Sequence, residues 1–177
     1  MFIRLYSLLY MLLVGVNLNC WHQTHFMWNF GCISRCNKGV PSNPYEYFSK
    51  EQSFDRNLYK NICLGNIVWV ESRHAQEFCK QVLPNLNQSI ILLVSAGDES
   101  FPKDCKGLDI NVLLNNKFIV HIFAQNNVYS GESKKISSFP IGMDYHTVAY
   151  KSSNGGWGEK GNPNEQELSL NEILKRL

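Results

Sequence analysis

Three places in this chain put reactive side chains close together. In Phe139-Pro140-Ile141-Gly142-Met143-Asp144-Tyr145-His146-Thr147, an apolar pair ends at a glycine and a carboxylate, a phenol and an imidazole follow in succession, with Trp157-Gly158-Glu159 further on. A carboxylate two residues from an imidazole can orient it and raise its pKa toward working pH, the requirement for a general base. The competing reading of Asp144 is the cap of a helix start. A second group is Ser95-Ala96-Gly97-Asp98-Glu99-Ser100, and a third is Ala124-Gln125-Asn126-Asn127. Asp98 reads as a second candidate base, and Glu99, Gln125 and Asn126 as holders of hydroxyl groups. Each segment also reads as an ordinary polar turn.

What must position these groups is a set of apolar strands. Residues 66–70 (Asn-Ile-Val-Trp-Val), 89–95 (Ser-Ile-Ile-Leu-Leu-Val-Ser) and 117–123 (Lys-Phe-Ile-Val-His-Ile-Phe) are short, continuous and rich in β-branched or aromatic residues. Such runs fit strands buried on both faces. A fourth strand is expected over 136–141. Between the first two, Ser72 offers an N-cap, and Ala75, Phe78, Cys79 and Val82 recur at helical spacing until Pro84. A short helix is expected over 108–115. A last one begins at Pro163, capped by Asn162, with Leu168, Leu170, Ile173, Leu174 and Leu177 as its apolar positions. Alternating strands and helices imply right-handed βαβ units and a doubly wound parallel sheet, an open Rossmann-like α/β fold. In such a sheet ligands gather beyond the carboxyl ends of the strands. The polar segments follow those ends, as does Glu71-Ser72-Arg73 after the first strand. His121, inside an apolar strand, reads as a core histidine.

The chain of 177 residues suits one ordinary domain with length left over. It divides into an apolar leader (1–20), an irregular segment (21–61) with a turn at Asn43-Pro44, and the α/β domain (62–177). Residues 2–18 are apolar after Arg4 and too short for a clean membrane span. They read as a signal peptide, a short membrane anchor or a buried element of the fold. Net charge is +2 and basic residues occur as pairs such as Lys134-Lys135, which argues against a nucleic-acid track. Cys32 and Cys36 are separated by three residues and read as a disulfide or two thiols. With His22 and His25 they match no standard zinc spacing, so no metal is expected. Cys63, Cys79 and Cys105 read as small apolar residues.

Several chemistries lose their usual support. There is no Gly-x-Gly-x-x-Gly after the first strand, no Gly-x-x-x-x-Gly-Lys-Ser/Thr, no Gly-x-Ser-x-Gly and no Asp-x-Asp. No bound cofactor is expected. Taken in order, Val94 to Pro102 (Val-Ser-Ala-Gly-Asp-Glu-Ser-Phe-Pro), His121-Ile122-Phe123-Ala124-Gln125-Asn126, the segment from Phe139 to Thr147, Trp157-Gly158-Glu159 and Gln166-Glu167 resemble a group of exostosin-like, glycosyltransferase-like proteins of microbes, algae and large viruses. The resemblance covers about residues 62–177.

It implies a fold of two Rossmann-like halves facing a cleft, acceptor contacts coming mainly from the first half and nucleotide-sugar contacts from the second. The present chain would correspond to the first half, with the donor half supplied by a partner domain or subunit or lost by truncation. The implied reaction transfers a sugar from a nucleotide-sugar donor to a glycan or other hydroxyl acceptor. Asp98 or His146 would act as base, while Glu99, Gln125, Asn126, Asp144, Tyr145 and Glu159 would contact substrate and Trp157 would offer a face to a sugar ring. The alternative is a non-catalytic half-domain, or a truncated remnant, that binds a glycan or nucleotide at the same strand ends.

Overall fold

The computed structural model describes residues 29–41, 53–142 and 163–176. The chain divides into two compact units, Met1–Arg35 with Gly142–Leu177, and Cys36–Ile141. In the first unit the described elements are helices α1 (Asn29–Ile33) and, at the far end of the sequence, Pro163–Leu174. The second unit holds β1 (Ile67–Glu71), α2 (Ala75–Gln81), β2 (Ile90–Ser95), α3 (Ile110–Leu114), β3 (Ile119–Ala124) and β4 (Ile136–Ser138). Pro163–Leu174 is accordingly α4.

The four strands form one all-parallel sheet in the order β1-β2-β3-β4, with flanking helices, a Rossmann-like α/β arrangement. Its register aligns Val68 with Leu92, Ile122 and Ile136, and Val70 with Val94, Ala124 and Ser138. Those residues share one face. Both helical crossovers lie over it, because Phe78, Val82 and Leu83 of the first and Phe101 and Leu113 of the second join Val68, Leu92 and Ile122 in a single core. This corrects the doubly wound expectation. Among the described strands the order never reverses, and both crossovers cover one face. Apolar runs report burial on two faces but not what covers each. On the second face Trp69, Leu93 and Phe123 are nevertheless at most 3% exposed.

Local chemistry sets the element ends. Asp109 caps α3 by accepting from Asn111 N at 3.0 Å. α2 ends at Gln81, and Pro84 sits in a separate tight helical turn, Leu83–Asn85. β4 stops at Ser138 rather than at residue 141. Phe139 N still donates to Ala124 O at 2.8 Å, but β3 itself ends at Ala124 and Asn126 O accepts from Phe101 N, which leaves β4 no further partner. On β3, Val120 is the extra residue of a register irregularity opposite Ile90 and Ile91. It turns outward, so Ile119 and Ile122 both reach the core.

The segment read as irregular before the first strand covers an edge. Trp69 N donates to Lys38 O at 2.9 Å, Asn37 N donates to Ile67 O at 2.7 Å, and Asn37 Oδ1 accepts from Ile67 N at 2.7 Å. Gly39, at φ +82°, is required here, because a Cβ would strike Trp69 O. The outer edge of β1 is thereby shielded from edge-to-edge pairing.

On α4 burial does not follow the apolar pattern. Leu168, Ile173 and Leu174 are exposed while Glu167 is buried. At 3.6 residues per turn Leu168 falls opposite Leu170, Ile173 and Leu174, so these positions never formed one stripe. Leu177 and the expected cap Asn162 lie outside the described residues.

Candidate functional site

At the carboxyl end of β1, Glu71 is 3% exposed and its Oε1 lies 2.6 Å from Arg73 Nε. His74 Nε2 is 3.7 Å from Glu71 Oε2. A carboxylate withdrawn from water is strongly disfavoured unless paired, so the two cationic candidates on the following turn match their anchor. The Arg73 side chain stays one-third exposed. Ser72, expected as an N-cap, instead joins two loops, because its hydroxyl donates to Glu99 Oε2 at 2.5 Å. The turn Ser72–His74 forms first, and α2 starts only at Ala75, with no side-chain cap at His74.

The loop after β2 is tied on both sides. Ser95 Oγ accepts from Trp69 Nε1 at 3.0 Å, linking β2 to β1. Ala96 has φ +62°, a left-handed conformation that is unfavourable by about 1–2 kcal/mol for a residue with a Cβ. Its N–H donates to Gln125 Oε1 at 3.2 Å, and Gln125 Nε2 reaches Gly97 O at 3.4 Å. Asn126, at φ +50°, also donates from Nδ2 to Gly97 O, at 3.2 Å. Further along, Phe101 N donates to Asn126 O at 3.0 Å and Val128 N to Phe101 O at 2.8 Å. Gln125 and Asn126 thus bond the neighbouring loop, where a turn satisfying only itself would have bonded its own backbone.

Three strand ends are therefore fused into one hydrogen-bonded platform. Of the residues singled out from sequence, Asp98, Glu99, Gln125 and Asn126 lie on it. Asp98 is exposed, Glu99 is half-buried against Ser72, and Gln125 is 8% exposed with both ends of its amide engaged. Asp144, Tyr145, His146, Trp157 and Glu159 lie outside the described residues. Glu71-Ser72-Arg73 stood among the polar strand ends, but its ion pair and the approach of His74 are the part that spacing alone did not single out. Its signal was a carboxylate ending an apolar strand with two cationic candidates directly after it.

Two other groups have structural settings. His121 is buried, its Nε2 is 2.9 Å from Ser137 Oγ, its ring centroid is 4.6 Å from that of Phe123, and burial lowers its pKa. Cys32 and Cys36 are buried thiols. Among the described residues no group of three or more His, Cys, Asp or Glu side chains is arranged to hold a metal, and no helix is long and apolar enough to cross a membrane. A cavity of about 530 Å³ lies at the opposite end of the sheet, between residues 56–62 and 81–87, which precede β1 and β2.

Compared with known proteins, the chain matches no family model, no curated protein and no solved structure.

Proposed function

We propose that the chain is a glycosyltransferase-like protein whose strand-end platform holds a hydroxyl acceptor, such as a glycan, for transfer of a sugar from a nucleotide-sugar donor. The observation that carries this reading is the convergence of three polar strand ends into one bonded surface, with Asp98 exposed upon it and Arg73 anchored by buried Glu71. The sequence resemblance to exostosin-like proteins supports the same reaction. Asp98, or His146, takes the proton from the acceptor hydroxyl as its oxygen bonds to the anomeric carbon, and the nucleoside diphosphate departs with the electrons of the broken bond. Arg73 offers N–H donors to acceptor or leaving-group oxygens.

The test is transfer of labelled sugar from a panel of nucleotide sugars to oligosaccharide acceptors by the 177-residue chain. Removing a general base lowers rate about 10²–10⁴-fold, so Asp98→Ala or His146→Ala is expected to fall in that range. A rate indifferent to both substitutions would sink the assigned chemistry.

A non-catalytic binding half-domain is the second reading, favoured by one feature. Glu99 and Gln125 hold loops together, which leaves Asp98 as the exposed carboxylate of that loop. Saturable binding of a glycan or nucleotide with no turnover of any donor selects it.

A further inference from the structure

We propose that the cavity at the amino ends of β1 and β2 is a binding site for an acidic sugar, a hydroxyl-rich ring bearing a carboxylate or phosphate. The site lies in one compact unit and is separate from the strand-end platform, so it does not depend on that platform binding an acceptor. Its volume of about 530 Å³ falls within the range of small-molecule pockets.

Charge decides the sign of the ligand. Arg56 and Lys60 line the cavity and no carboxylate does. The nearby carboxylate of Asp55 is engaged with the backbone N and Nδ2 of Asn57, at 2.8 and 2.9 Å. Two backbone acceptors of lining residues are also in use: Val82 O receives Asn85 N at 3.0 Å and Asn57 O receives Lys60 N at 3.3 Å. The charged side chains of the lining are therefore both cations.

Amides decide the rest. Asn57, Asn61, Gln81, Asn85 and Asn87 all line the same space. A primary amide offers donors and an acceptor side by side, which matches vicinal hydroxyls that both give and take hydrogen bonds. The floor is apolar and rigid. Tyr59, Val82 and Leu86 are each at most 8% exposed, and the Tyr59 ring is held between Phe54, stacked at 5.3 Å, and the edge of Phe78 at 5.4 Å. An apolar floor under amide walls suits a sugar ring, with one apolar face and a polar rim. A bare inorganic anion would leave that floor and most amides unused.

Titration of the full chain by calorimetry with glucuronate, glucose 6-phosphate, glucose and inorganic phosphate tests the site. The expected result is saturable binding of at least one acidic sugar below about 1 mM, at least about tenfold tighter than either glucose or phosphate alone. Arg56 and Lys60 are exposed, so Arg56→Gln with Lys60→Gln should leave folding intact and weaken binding about tenfold or more. Asp98→Asn, at the other end of the sheet, should leave it unchanged. Preference between carboxylate and phosphate identifies the source of the charge. Absence of acidic-sugar binding up to about 10 mM would overturn the proposal. So would equal affinity for glucose or for free phosphate, undiminished binding in the double variant, or loss on Asp98→Asn.

Discussion

Gly97 is held by what stands beside it rather than by its own torsion angles. A Cβ there would meet Ser72 Oγ and Glu99 Oε2, the two partners that join the loops after β1 and β2. Gly97→Ala should therefore destabilise the protein by about 1–3 kcal/mol, the usual effect of overpacking. Ser72→Ala in the same chain should recover a clear part of the loss, because it removes the hydroxyl the methyl strikes. Urea unfolding midpoints of the two variants check both, and a harmless Gly97→Ala would contradict the geometry. The thiols give a second residue-level expectation. Burial, followed by the carboxylates of Asp109 and Glu77, pushes Cys79 up to about 12, and burial with Glu99 and Asp104 pushes Cys105 to about 11. Both are protonated near neutrality, whereas Cys63 is exposed. The thiolate is the reactive form, so iodoacetamide at about pH 8 should label Cys63 first and reach Cys79 and Cys105 only when denaturant is added. Peptide mapping by mass spectrometry reads the order, and equal labelling rates in the folded chain would refute it.

At the scale of the element, α3 is too short to stand on its own hydrogen bonds. Asp109 closes its start, and Lys135 closes its end from across the fold, donating from Nζ to Leu114 O at 2.9 Å and Asn116 O at 2.5 Å. An ammonium at a helix carboxyl end satisfies carbonyls left without N–H partners. Burial lowers the Lys135 pKa, yet both bonds depend on its N–H groups. Lys135→Met, which keeps the stem and removes the donors, should reduce stability by about 1–3 kcal/mol and raise amide exchange in residues 110–116, measurable by hydrogen exchange. The first three strands were legible because their continuous apolar runs permit little else, whereas β4 is Ile-Ser-Ser and no such run. The limits of elements were less so: β4 stopped where its partner β3 ended at Ala124, and Ser72 found Glu99 instead of capping a helix. Such outcomes depend on partners far apart in sequence, and spacing along one strand does not carry them. The polar strand ends were legible as a group, since each follows an apolar run. That Gln125 and Asn126 would grip Gly97 was not, because it rests on two left-handed residues meeting across adjacent loops.

At the scale of the molecule, the sheet has two buried faces of different character. The crossover face is apolar but for Ser138 on the edge strand, while the other aligns Ile67 with Ile91 and His121, and Trp69 with Leu93 and Phe123. The sequence showed both faces buried but could not reveal that both described crossovers cover only one. The histidine makes the second face sensitive to acid. Its ring is buried beside Ser137 and Phe123, and burial favours the neutral form, so its folded pKa lies below the ordinary imidazole value of about 6.5. The sign follows from proton counts. Between the folded value and about 6.5 the unfolded chain binds more protons, so acid favours unfolding. Stability should be level with respect to this group above about pH 6.5, fall as pH drops below it, and level again once the folded imidazole itself protonates. The slope for one such group is at most about 1.4 kcal/mol per pH unit. Urea titrations of the wild-type chain from about pH 8 to pH 5, beside His121→Gln, isolate the contribution. The variant should lose part of the slope in that window even if its stability near pH 8 is lower, because glutamine has no proton to take up. Identical slopes in the two proteins would show that His121 keeps its ordinary pKa on folding, and that acid acts on the fold elsewhere.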